Sequence, residues 1–160
     1  MRASAGVGGN EKKTEEEGMS EASSDRQIGR SIWAIFAGFL VVLAITLVTD
    51  EILHLVRVYP PWGERTPDGP LARATFYRIA YGILGSYITA RLAPSKPMGH
   101  ALLGGAIGVV VSTLGAIATW NKDLGPHWYP VALIVAAMPC AWLGGKLRLA
   151  QLRETAKAGT

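Results

Sequence analysis

Cysteine is almost missing from this 160-residue chain, with Cys140 standing alone. No internal disulfide can staple the fold, and no cysteine cluster can ligate a metal. Beside Pro139 in an apolar block, Cys140 reads as a small core residue. Carboxylates are also scarce where chemistry would need them: none occurs between Asp68 and Asp123, nor between Asp123 and Glu154. The chain lacks a serine-hydrolase elbow, a phosphate loop, a metalloprotease helix and a dinucleotide fingerprint; Gly104-Gly105 belongs to an apolar run, not to a strand-to-helix turn. The expectation is a protein that is not an enzyme and carries no cofactor.

Basic residues exceed acidic ones, 16 Lys and Arg against 12 Asp and Glu. They form no basic face or nucleic-acid motif and collect instead beside the ends of apolar blocks, so nucleic acid is not an expected partner. Apolar residues make up 49% of the chain, and they come in blocks rather than dispersed at helical or strand spacing. That is the pattern of a membrane protein, and the partner it implies first is the lipid bilayer.

The clearest block is Ala101 to Thr119, ALLGGAIGVVVSTLGAIAT, which contains no ionisable side chain. It is long enough to cross a bilayer core as a helix. Gly104, Gly108, Ser112 and Ala116 recur at every fourth position, leaving one stripe nearly bare so that a neighbouring backbone can approach. This helix is expected to be the packing centre of the bundle. Its neighbour could come from the same chain, from a second copy in a homo-oligomer, or from another membrane protein.

The predicted fold is all-α: a polytopic bundle of four transmembrane helices over residues 30–148, with spans at about 31–51, 71–92, 100–120 and 128–147. Residues 1–29 lack periodic apolar positions and are expected to form a disordered cytoplasmic tail; residues 149–160 form a short basic one. The first apolar block lies too far from Met1 for an ordinary signal peptide and is expected to remain as a signal anchor. Its helix should continue past Val48 until Pro60 and Pro61 stop it, placing Asp50, His54 and Arg57 on one face. Pro139 should bend the last span. Arg26, Arg30, Arg91, Lys96, Lys146, Arg148, Arg153 and Lys157 fall on one side of the membrane, against Arg57, Arg65, Arg73 and Lys122 on the other. The richer side should be cytoplasmic, so a multi-pass inner (plasma) membrane protein with both termini in the cytoplasm is expected.

Arg78 is the sharpest functional candidate, because an arginine within a span costs several kcal/mol unless paired or hydrated. Gly82, Gly85, Ser86 and Thr89 share its side of the helix. Asp50 and Glu51 lie at the same membrane depth, so an ion pair between the first two spans is expected, with an ion or substrate site as the competing explanation. Tyr77 and Tyr81 flank Arg78 and could line a polar pocket. Glu51 and His54 form an E-x-x-H step like that of a di-iron bundle, yet the other spans supply no carboxylate, so no metal is expected. His54 should instead hydrogen-bond Asp50 or Glu51.

The motifs TDEILH, YPPWGE, YRIAYGILGSYITARLAPSKPMGHA, GPHWYP and AWLGGKLR together resemble a group of small uncharacterised bacterial membrane proteins over residues 30–148. That resemblance implies four spans and a bacterial inner membrane, and nothing chemical. The function expected is that of a non-enzymatic accessory or interaction subunit. The alternative is a minimal transporter or channel whose outer mouth is lined by Asp50, Glu51, His54, Arg78 and Tyr81.

Overall fold

A computed structural model describes residues 7–159 as four helices, and no β-strand occurs among them. Helix α1 runs Val7–Leu55, α2 Asp68–Leu92, α3 Pro97–Thr119 and α4 Trp128–Ala158. They run alternately up and down. The α1–α2 and α3–α4 loops therefore meet at one end, where the Thr66 amide donates to the Leu124 carbonyl at 2.9 Å and Arg65 pairs with Asp123.

The stops between helices are chemically legible. Pro97 occupies the first turn of α3, where its missing amide proton costs nothing, behind Lys96 in a left-handed conformation. Asp68 and Pro70 lie in the first turn of α2, and Asp68 accepts from the Trp128 indole at 2.6 Å. α1 ends earlier than the prolines alone would dictate. Arg57 sits at φ 58°, its amide bonds the His54 carbonyl at 3.0 Å, and the Val58 amide bonds that of Leu53 at 2.9 Å. This is a Schellman cap with arginine in the place usually taken by glycine. Arg57 therefore leaves the helical face expected to hold it with Asp50 and His54.

Two expected tails are helical where they are described. α1 extends back to Val7 through the segment expected to be disordered, and residues 1–6 lie outside the described residues. That segment contains no proline and carries Glu11, Lys12, Lys13, Glu15, Glu16 and Glu17, all good helix formers, so once the apolar part has nucleated a helix, propagation backwards is cheap. α4 likewise passes through Pro139 and continues to Ala158.

α3 is not the packing centre; α2 is. It packs on α1, α3 and α4, whereas α1 touches α3 only slightly and does not pack on α4. Three helices are long and apolar enough to cross a membrane: α1 within Ser23–Leu55, α3 and α4. α2 falls short of that apolarity because Arg73, Arg78 and Arg91 interrupt it.

The body is apolar outside and small inside. Its buried apolar residues are Ala34, Tyr59, Ala74, Ala90, Ala101, Ala116, Cys140 and Ala141, while Trp33, Phe36, Phe76, Leu114 and Ile117 lie exposed. In water that distribution would leave a very large greasy surface uncovered; in lipid it is the expected one, with close backbone approach holding the helices together. The approach is tightest where glycines meet. Gly38 of α1 faces Gly85 and Thr89 of α2, and Gly105 of α3 faces Ala141 of α4. A Cβ on Gly144 would lie 2.6 Å from both the Ile83 carbonyl oxygen and the Tyr87 amide nitrogen of α2. By contrast, Gly104 and Gly108 of the expected stripe have only one distant neighbour each, at 3.9 Å.

Two predictions follow from this packing. Gly144→Ala should lower stability in detergent by about 1–3 kcal/mol, because backbone rather than a flexible side chain must move, whereas Gly115→Ala, with open space around it, should cause no loss. Arg57→Gly should raise the unfolding free energy by about 1 kcal/mol by relieving the left-handed cap; an unchanged midpoint would remove that account of the helix stop.

Candidate functional site

The α1 helix carries Asp50 one turn before its cap, and α2 carries Tyr77 and Arg78 opposite it. Asp50 is buried, and both of its carboxylate oxygens are used: Oδ1 accepts from the Tyr77 hydroxyl, and Oδ2 from Arg78 Nη2 at 2.5 Å. The guanidinium also lies over the Tyr129 ring of α4, 5.6 Å from its centroid, within the range of a cation–π contact. One ion pair thus ties α1, α2 and α4 together.

Counting protons orders the rest of the network. Tyr77 spends its single hydroxyl proton on Asp50, so Tyr59 must divide its own between the Tyr77 oxygen at 3.1 Å and the Pro70 carbonyl at 3.2 Å. The hydroxyls thus form a chain polarised toward the carboxylate. Thr49 donates to the Ile45 carbonyl at 2.7 Å, which makes Tyr81 the donor to Thr49 at 3.0 Å. Tyr81 accordingly stands beside the cluster through Thr49 and through its ring contact with Tyr77, 5.5 Å between centroids.

The expected pair between Asp50 and Arg78 is present, but Glu51 takes no part in it and is exposed. His54 does not bond either carboxylate. Its Nδ1 donates to the Pro60 carbonyl at 2.8 Å, and its ring stacks on Trp62 at 3.9 Å. The reason is the early helix stop: the reversal at Arg57 folds the Tyr59–Trp62 segment back over His54. His100 lies at the other end of the bundle, bonding the Lys96 carbonyl, and His127 packs on Trp120. No group of three His, Cys, Asp or Glu side chains converges among the described residues.

Sequence alone does not single out Tyr59 or Tyr129. No spacing rule connects a loop tyrosine to a carboxylate nine residues earlier, or a tyrosine of the last helix to an arginine of the second.

Two cavities flank the pair. One, of about 510 Å³, opens among Asp50, His54, Tyr59, Trp62, Trp120 and Tyr129. The other, of about 310 Å³, lies between α1 and α3 and is lined by Gly104, Gly108 and Ser112. Arg78, Ser112 and Leu133 line both. The Arg78 Nε is buried and has no hydrogen-bond partner, so the guanidinium keeps donor capacity beyond the ion pair. Ala116, the last residue of the stripe, lines the larger cavity. No protein family, characterised protein or solved structure matches this chain.

Breaking the pair from one side should be severe. Arg78→Asp places two carboxylates together in a buried site and should cost about 3–5 kcal/mol or abolish folded expression. Adding Asp50→Arg should restore part of the yield, and full stability of the single variant would show that the pair carries no structural load. Tyr77→Phe, which leaves Oδ1 without its donor, should cost about 1–3 kcal/mol in the same unfolding assay.

Proposed function

We propose that this chain is a four-span protein of a bacterial inner membrane, with both termini in the cytoplasm, that acts as a non-enzymatic interaction subunit. The burial pattern of α2 supports a fourth span despite its arginines. Between Ala74 and Ala90 the exposed positions are Phe76, Ala80 and Leu84, spaced by four and all apolar. Lipid would meet mainly that stripe, and Arg78 is met by protein. The excess of Lys and Arg at the end carrying Arg91, Lys96, Lys146 and Arg148 supports the orientation.

The observation that carries the interaction role is the cleft between α1 and α3. Gly104, Gly108 and Ser112 leave it open on one side, Phe39, Val42 and Leu43 border it on the other, and the two helices scarcely touch. A small-residue surface left unfilled within the chain suits a helix from a partner or a second copy. The Asp50 carboxylate is taken up by Tyr77 and Arg78, and Thr49, His54 and Tyr59 bond backbone carbonyls, which supports a structural role for the group.

The cavities meeting at Arg78 favour a second reading, a minimal transporter or channel. Its solute path would pass the unused Arg78 donor.

A photo-crosslinking side chain at Leu43 or Val111, activated in native membranes, should yield a discrete protein adduct. Gly108→Leu, whose Cβ would meet only Ala137 at 3.9 Å, should abolish the adduct while the bundle still folds. Adducts to lipid alone would remove the interaction role. Reconstituted flux that disappears in the charge-free double variant Asp50→Asn with Arg78→Gln, with folding retained, would establish transport instead. Reporter fusions to the two ends should register one compartment; opposite compartments would refute the four-span topology.

A further inference from the structure

The end of the bundle opposite the Asp50 cluster holds a second polar group, of different character. Tyr87 and Arg91 lie one turn apart on α2, and Arg148 and Gln151 lie three residues apart on α4. The Tyr87 hydroxyl donates to Gln151 Oε1 at 2.7 Å, and Arg148 Nη1 reaches the same oxygen at 3.5 Å. Arg91 Nη1 donates to the Tyr87 oxygen at 3.3 Å. A single phenol and a single amide therefore hold two guanidiniums from neighbouring helices beside each other.

Both charges lack a counter-charge. Arg78 and Arg65 each meet a carboxylate, whereas neither Arg91 nor Arg148 has an ion-pair partner among the described residues. The Arg148 Nε is buried and without an acceptor. Each guanidinium has five donors and the acceptors facing them are two neutral oxygens, so most of that donor capacity is unspent. On another face of α4, Lys146 holds its ammonium 4.8 Å from the centroid of the Trp142 ring, an arrangement suited to headgroup depth.

We propose that Arg91 and Arg148, oriented by Tyr87 and Gln151, bind the phosphodiester headgroup of an anionic lipid at the seam of α2 and α4. A phosphate oxygen supplies the acceptors that neutral side chains cannot, and two guanidiniums clamp it in a fork geometry that a lysine pair could not reproduce. A lipid is favoured over a free anion by what lies one turn toward the bilayer. Leu84, three residues before Tyr87, and Leu147, four before Gln151, are both exposed on the same helices and give acyl chains an apolar track leading away from the cations. The position between helices at the interface is also where the negative potential of a membrane leaflet acts on basic residues. The inference rests on the membrane-spanning reading but not on the interaction role.

The test is the unfolding midpoint of the full chain in a neutral detergent, titrated separately with cardiolipin, phosphatidylglycerol, phosphatidylcholine and inorganic phosphate. Cardiolipin and phosphatidylglycerol should raise the midpoint; phosphatidylcholine and phosphate should not. Arg91→Gln and Arg148→Gln should each weaken the apparent lipid affinity roughly fivefold, and Arg148→Lys should recover only part of it. Arg65→Gln, at the far end, should leave the lipid response unchanged. Should Arg148→Gln fail to fold, the exposed Arg91 carries the test alone. An anionic-lipid shift that survives the Arg91→Gln and Arg148→Gln double variant, an equal shift with phosphatidylcholine, or a shift with phosphate alone would each overturn the lipid site while leaving the membrane assignment intact. A chain that is monodisperse without detergent and indifferent to every lipid would overturn both.

Discussion

A guanidinium among apolar helices has to be met by an anion, and much of this protein is arranged around meeting one. Arg78 makes α2 the helix least able to face lipid. α2 accordingly occupies the middle, with α1 supplying Asp50, α4 supplying the Tyr129 ring, and Tyr77 completing the carboxylate. Removing water from such a pair raises both the attraction and the cost of an imperfect match. That cost is why the surrounding hydroxyls form a directed chain rather than a loose cluster.

Placing the most polar helix centrally has a geometric consequence. Three helices must come close to α2, and α3 to α4, without large side chains between them, and the tightest contacts occur where glycine or alanine lies on at least one side: Gly38 with Gly85, Gly105 with Ala141, and Gly144 with the α2 backbone. The bulky residues are left to point outward, toward a solvent that welcomes them. The same economy leaves space where small residues face each other across a wider gap, and the two cavities beside Arg78 are that space.

The ends of the bundle are electrically unlike. At one, two of the basic residues meet carboxylates, Arg78 with Asp50 and Arg65 with Asp123. At the other, Arg91 and Arg148 share neutral acceptors only. A bilayer with anionic headgroups on one side supplies what the second end lacks, and this asymmetry agrees in direction with the sequence excess of basic residues there.

The sequence by itself determined that helices form, where three apolar ones lie, and that Arg78 calls for a carboxylate at the depth of Asp50 and Glu51, because these follow from hydropathy, proline punctuation and the cost of a lone charge in oil. It also held the small-residue pattern, but periodicity cannot say which of two adjacent stripes bears the contact, and Gly105 rather than Gly104 meets its neighbour most closely. Only the tertiary structure decided that α2 and not α3 is central, that Glu51 is left outside the pair, and that His54 turns to Pro60. Those outcomes depend on the left-handed reversal at Arg57, which takes arginine where a glycine would have signalled it, and on which helices touch, which is set by packing between residues whose separation in the chain carries no periodic signal.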